Sequence, residues 1–425
     1  MEKGLVYPRY RWLILISTCL VFISYAIDMI VYAPIFTEVA NDLKVDMGVA
    51  IQLSMAFAIA LALGMIIGGP LVDRYGITVV FTAGLLCASL PATLMPWLGS
   101  SYGAVFAARL VQGAVGMVFG AIGPVLALWF PQKEQGLAGG LILCCLSIGP
   151  AIGVVASPAL YAVLGSWQYT VALLSLPGWF ALILALVVTR RPPSPEVVAA
   201  VVQKLQSSGN GGVTYSNVFR YPMTWIGTGI VFFNSWGIYG LYNLIPPYLA
   251  AAAPMGVGLG PAMAGTLTLL CIIVGIPAFI VGGLFFDKVA KGKSKPAIFI
   301  GFVMSGLFSY LFLIPSVFQN MTLLVFCLVL AGWGVSFMGP SLSAFIATNY
   351  PSNLVGSMVG WWFGFGTVGG ALGTFLAGVA TGRTGSFYWA IAPIALASVV
   401  GILLTFMLKP AHRVVTASRA VPDRT

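Results

Sequence analysis

Charge is missing from long stretches of this chain, and nothing else in the sequence limits its fold as severely. No Asp, Glu, Lys or Arg occurs between Arg220 and Asp287, or between Lys295 and Arg383. Only 7% of the 425 residues are charged, against roughly 25% in a soluble domain, and 60% are hydrophobic. So little charge cannot solvate a water-facing surface. The shortage excludes an ordinary soluble enzyme, a disordered protein and a nucleic-acid binder. The solvent for most of the chain is the lipid bilayer. A spanning helix takes about 20 apolar residues, and the 51 glycines suit closely packed membrane helices.

Twelve spans can be read, beginning near Trp12, Val49, Val79, Tyr102, Gly136, Tyr169, Met223, Pro261, Pro296, Met321, Leu354 and Tyr388; they are referred to as spans 1 to 12. The longest polar interruption runs from Arg190 to Arg220. It holds Pro192, Pro193, Pro195 and a Ser-Ser-Gly-Asn-Gly-Gly stretch, the composition of a flexible linker. The expected organisation is an N-terminal six-helix bundle (1–189), a cytoplasmic linker (190–220), and a C-terminal six-helix bundle with a cytoplasmic tail (221–425). With the N-terminus inside, 17 of the 20 basic residues fall on cytoplasmic segments; Lys44 and Arg383 fall outside and Arg109 within a span. That bias reads as the positive-inside signal, with both termini cytoplasmic, and not as a nucleic-acid surface. The run after Arg9 and Arg11 has no small-residue cleavage site and reads as span 1. Cys19, Cys87, Cys144, Cys145, Cys271 and Cys327 all lie in apolar runs, and His412 is the one histidine. Neither a disulfide framework nor a metal site is expected, nor any cofactor.

The chain repeats itself. Gly68-Gly69-Pro70-Leu71-Val72-Asp73-Arg74 follows span 2, and Gly282-Gly283-Leu284-Phe285-Phe286-Asp287-Lys288 follows span 8, 214 residues later. Pro131, Gly136, Gly140, Gly149 and Gly153 recur as Pro351, Gly356, Gly360, Gly369 and Gly373, at an offset of 220. Two matching six-span halves imply a pseudo-twofold axis along the membrane normal and a site near the midplane between them. The expected fold is therefore an all-α membrane protein of twelve transmembrane helices in two pseudo-symmetric six-helix bundles. Gly69-x-Leu71-Val72-Asp73-Arg74-Tyr75-Gly76 resembles the loop between helices 2 and 3 of the major facilitator superfamily. Arg109-Leu110-Val111-Gln112-Gly113 is similar to that superfamily's helix 4 motif. One departure is that Ile77 and Thr78 stand where basic residues usually follow the loop's last glycine.

Ionisable residues inside a membrane are costly, at about 2.5–3.5 kcal/mol each on insertion scales. Two clear cases occur: Asp28 in span 1 and Arg109 in span 4. Tyr25, Asp28 and Tyr32 share one helical face, as do Arg109, Gln112 and Gly116. Asp28 reads as a proton-coupling carboxylate, or as a structural partner of Arg109. Arg109 remains charged when buried and can hold Asp28 ionised, meet an anionic substrate, or pin span 4. Gly69, Asp73 and Arg74, with Gly283, Asp287 and Lys288, read as gating loops: each carboxylate docks on a helix N-terminus across the half-to-half interface. The plain alternative is a helix stop carrying topology charge. Gly113, Gly116, Gly120 and Gly123 form a packing stripe on span 4. Tyr239, Tyr242 and Asn243 of span 7, with Trp362 of span 11, complete the candidate substrate-binding set alongside Tyr25, Tyr32 and Gln112.

The resemblance implies a secondary transporter acting by alternating access. Trp129-Phe130-Pro131-x-Lys133-Glu134-x-Gly136-x-Ala138 is similar to the segment after helix 4 in organic-anion and nitrate or cyanate uptake subfamilies. That favours a proton-coupled carrier of a small organic anion such as a carboxylate, acting as a monomer in the cell (inner) membrane. The runner-up is a proton/drug antiporter, on Ile27-Asp28-x-x-Val31-x-x-x-Ile35 and the partial Gly149-Pro150-x-x-Gly153 motif. A membrane enzyme is not expected, because no His, Cys or paired carboxylates converge.

Overall fold

The computed structural model describes residues 8–199, 218–350 and 355–409, and every regular element within them is helical. Lipid offers backbone N–H and C=O groups nothing to bond, so each spanning segment must satisfy them internally. Side-chain hydroxyls obey the same constraint. Thr18, Thr268, Thr374, Thr381 and Thr405 each donate to the carbonyl four residues back, at 2.7–2.9 Å.

Among the described residues, ten helical stretches are long and apolar enough to cross a membrane. They differ from the twelve expected spans at two places. Spans 2 and 3 fall in one 47-residue helix, Met47–Thr93, interrupted only at Gly76 with φ 80° and ψ 169°. Span 7 is the 29-residue helix Pro222–Ala250, in which Asn234, Ser235, Tyr239, Tyr242 and Asn243 dilute the apolar character. It is nonetheless among the most enclosed helices, because these polar groups face inward. Of the expected linker, residues 195–199 are helical and 200–217 lie outside the described residues, as does the tail from 410 with His412.

The backbone of Gly76 occupies a region that is essentially confined to glycine and costs other residues about 1–3 kcal/mol. Its Cα faces open space, so strain alone is at stake. Gly76→Ala is expected to lower the thermal midpoint of the purified protein, followed by intrinsic fluorescence. An unchanged midpoint would mean the break relaxes at no cost.

Eight helices frame the centre: α1 (Arg11–Ile30), α2 (Met47–Thr93), α3 (Tyr102–Gly113), α4 (Gln132–Leu164), α5 (Pro222–Ala250), α6 (Gly260–Ile273), α7 (Met321–Phe337) and α8 (Val355–Thr384). Small residues set their approach. A Cβ at Gly113, Gly116 or Gly120 would strike the α2 backbone at Phe57, Leu61 or Gly68, whereas one at Gly123 would meet nothing within 4 Å. Gly149 and Gly153 of α4 seat Ala26 and Ile30 of α1. Helix α8 is wedged between α2 and α5: Gly364 faces Met65 and Ile66, while Gly370 and Gly373 receive the rings of Tyr239 and Trp236.

The two ends of the molecule differ. On the side opposite the N-terminus, Gly48 of α2 lies so close to α8 that a Cβ would collide with the Gly378 carbonyl and come within 2.8 Å of the Gly382 nitrogen. There too a Cβ on Gly265 of α6 would approach the Val154 carbonyl of α4 to 2.8 Å. On the terminus side, a Cβ at Gly69, Gly123 or Gly140 would meet no atom within 4 Å.

Candidate functional site

Arg109 organises the centre. It is fully buried and spends its donors on three different helices. Its Nε donates to the Leu53 carbonyl of α2 at 3.2 Å, and its Nη1 to the Asp28 carbonyl of α1 at 2.8 Å and to Gln112 Oε1 at 3.0 Å. The guanidinium carbon also lies 4.3 Å from the Phe57 ring centroid and 4.7 Å from that of Tyr32. Aromatic faces attract a desolvated cation, so the charge is held by rings as well as by carbonyls. A rigid planar fork is what such a multi-helix brace requires.

Asp28 is close to this charge but does not form an ion pair with it within 4.0 Å; Arg109 takes the main-chain oxygen of Asp28 and leaves its carboxylate. Asp28 Oδ2, Tyr32 Oη, Gln112 Nε2 and Arg109 Nη2 are all buried without a hydrogen-bond partner in the protein. Buried polar atoms are normally paired. The four orphans in one cluster comprise two donors, a hydroxyl and a carboxylate oxygen, which makes it the candidate site.

Aromatic rings wall this cluster. Tyr25 stacks on Phe57 at 6.4 Å between centroids and meets Phe119 edge-on at 5.3 Å, and Phe119 meets Phe22 at 4.9 Å. The hydroxyls of Tyr25 and Tyr239 face each other from α1 and α5. Tyr242 reaches toward Ser336 of α7. Ser336 and Ser147 of α4 both point at Gly275, where a Cβ would sit 2.8 and 2.9 Å from their hydroxyl oxygens.

The structure thus brings together Asp28, Arg109, Gln112, Tyr25, Tyr32 and Tyr239, with Tyr242 on the neighbouring turn. It does not bring Trp362 to them. That indole is fully buried in a second apolar cluster with Ile230 and Met358, stacked on Phe345 at 5.8 Å and pressed against Gly227. Helical periodicity fixes a face and not a depth along the helix. Asn243 is central and bonded within the protein: its Oδ1 accepts from Ser54 at 2.9 Å and its Nδ2 donates to the Tyr239 carbonyl at 3.0 Å. Ser54, Phe57 and Phe119 were not among the candidates. Ser54 had a signal, since it and Gln52 are the only polar side chains between Met47 and Pro70.

A sequence model described as the Major Facilitator Superfamily matches residues 15–315 and 291–422. The chain belongs to this superfamily. Membership makes it a multi-pass membrane transporter rather than an enzyme. The 4-hydroxybenzoate transporter PcaK of Acinetobacter baylyi is 24% identical, over 94% of this chain and 91% of its own length. A probable nitrate/nitrite transporter, NarK2, of Mycobacterium tuberculosis is 25% identical over 79% and 81%. A probable chloroplastic anion transporter of Arabidopsis thaliana is 28% identical, over 43% of this chain and 37% of its own length.

The residues that resemble the superfamily's signature loop lie on the terminus side, at the break in α2. Asp73 is exposed and makes no hydrogen bond or ion pair among the described residues. It lines a cavity of about 320 Å³ on the terminus side with Trp129, Thr189, Arg190 and Arg191. Arg74 lies over its neighbour's ring, 5.3 Å from the Tyr75 centroid. In the second loop, Gly283 packs near Pro340, Lys288 is exposed, and the Asp287 side chain lies outside the described residues.

Proposed function

We propose that the chain is a secondary active transporter that carries a small organic anion, such as a carboxylate, by alternating access and couples it to protons through Asp28. The observation that carries this reading is the group of four orphan polar atoms around Arg109. Arg109 Nη2 and Gln112 Nε2 are free donors beside a fixed positive charge, which suits an anion. Asp28 Oδ2 is a free proton acceptor in the same cluster. The relatives support the substrate class: their names refer to an aromatic carboxylate, nitrate or nitrite, and anions. The aromatic wall of Phe22, Tyr25, Phe57 and Phe119 favours a substrate with an apolar body.

The architecture that serves this function is a pair of six-helix bundles, residues 1–189 and 221–425, joined by the 190–220 linker. A 47-residue helix is about 70 Å long, more than twice the roughly 30 Å hydrocarbon core, so Met47–Thr93 supplies two crossings divided at Gly76. With Pro222–Ala250 added, twelve crossings result. The charge bias supports cytoplasmic termini, and the reading is of a monomer in the cell (inner) membrane. The tightly apposed glycines at Gly48 and Gly265 then lie on the outer side, and the conformation is closed outward.

Reconstituted vesicles test this. With the interior alkaline, labelled 4-hydroxybenzoate is expected to accumulate, and dissipating the gradient to abolish accumulation. Efflux of a hydrophobic cationic dye with no uptake of any carboxylate or of nitrate would overturn the reading in favour of export.

The loop that carries Asp73 yields a second expectation. Asp73 would dock only when the cytoplasmic side closes, a contact worth about 1–2 kcal/mol. Asp73→Asn should then favour the present conformation by roughly tenfold. Labelling of Thr189→Cys, in the cavity that Asp73 lines, should rise accordingly from the cytoplasmic side. Unchanged labelling would reduce Asp73 to a topology charge.

A further inference from the structure

One buried bond at the centre joins the two ends of the sequence. Ser54 of α2 donates to Asn243 Oδ1 of α5 at 2.9 Å, with both residues almost inaccessible. They lie on opposite sides of the 190–220 segment. The bonds of Arg109, to Leu53, Asp28 and Gln112, all stay within the first 189 residues. Ser54 directly follows Leu53, whose carbonyl receives Arg109 Nε. Asn243 in turn holds the Tyr239 carbonyl, and the Tyr239 hydroxyl faces Tyr25, one turn before Asp28. The Ser54–Asn243 bond therefore closes a loop of contacts running from the buried charges into the second half of the chain and back. Along α2, Ser54 stands within two turns of the Gly48 crossing with α8, where Gln52 packs its Cγ against Gly378.

We infer that Ser54 and Asn243 form a latch that holds the outer side closed and ties that closure to the state of the Arg109–Asp28 centre; this rests on the alternating-access reading above. Both residues are positioning residues, and neither meets substrate. Asn243 turns its carbonyl oxygen to Ser54 and its amide to the Tyr239 carbonyl. The latch works because breaking it in place leaves a buried amide oxygen without a donor. Opening the outer side would instead separate the two halves and admit water to both partners. A motion of Leu53 driven by Arg109 would be felt one residue on, at the hydroxyl.

The test does not require knowledge of the substrate. In full-length protein carrying Gln52→Cys, a membrane-impermeant maleimide is added from the outer side, and labelling is corrected for the same protein with Gln52 intact. Ser54→Ala is expected to raise the labelling rate about tenfold, the shift that loss of one buried hydrogen bond produces in a two-state equilibrium. Ser54→Thr keeps the hydroxyl and should stay within about twofold of the parent, a rescue that general loosening would not give. Asn243→Ala removes the acceptor from the other side and should reproduce the rise should Ser54→Ala fail to assemble. Labelling at the parent rate in Ser54→Ala, or in Asn243→Ala in its place, overturns the latch. The transport reading fails separately, by absence of uptake in the unmodified protein.

Discussion

Arg109→Lys is expected to cut gradient-driven uptake by at least about a hundredfold while leaving a protein that still inserts in the membrane. Lysine keeps the positive charge, so simple electrostatics predicts a mild effect. The geometry predicts a severe one. The guanidinium reaches the Leu53 carbonyl through Nε and the Asp28 carbonyl and Gln112 through Nη1, while lying against Tyr32 and Phe57. An ammonium is a strongly hydrated point charge and cannot hold three helices at once from the end of a flexible stem. Loss of two hydrogen bonds from a charged group, at about 1.5–3 kcal/mol each, accounts for a hundredfold or more. Initial uptake rates in vesicles, normalised to inserted protein, check this. Uptake by Arg109→Lys above half the parent rate would show that only charge is needed.

The centre was legible because of what a bilayer makes expensive. Two ionisable residues in otherwise apolar runs pointed to Asp28 and Arg109, and helical spacing added Tyr25, Tyr32 and Gln112, which do gather around them. The relation between the two charges was not legible. Whether an arginine bonds a carboxylate or the main-chain oxygen of the same residue depends on how α1 and α3 cross, and the structure has it bond the main chain. The same limit applies to Asn243, whose helical face was evident and whose partner Ser54 was not. Trp362 sits apart because periodicity carries no depth. Three of the four glycines in the Gly113 stripe press on α2, and Gly123 is exposed with no neighbour to meet a Cβ. Finally, spans 2 and 3 read as separate on the motif that ends at Gly76, and the structure runs them as one helix, Met47–Thr93, broken only at that glycine.

Asp28→Asn is expected to abolish proton-driven accumulation while sparing exchange of substrate for substrate. Asp28 is buried, and its Oδ2 has no partner in the protein although a fixed cation lies nearby. The carboxylate is thus buried outside any ion pair, and proton uptake would remove a charge that is costly at this depth. On the proposed reading, a side chain so placed would bind its proton from whichever face admits water, the asymmetry a coupled carrier needs. Asparagine keeps the shape and can still accept one hydrogen bond, but it cannot titrate. Because Arg109 bonds the Asp28 main chain, the brace survives the substitution, so the variant should fold and bind. Exchange requires no net proton movement and should continue at a rate within about tenfold of the parent, since moving between the two states costs the variant at most one altered hydrogen bond. Both activities are to be measured in the same vesicles, with 4-hydroxybenzoate as the first substrate. Full accumulation by Asp28→Asn would remove Asp28 from coupling and leave the substrate's own proton as the carrier of the gradient. Loss of exchange together with accumulation would place Asp28 in substrate binding.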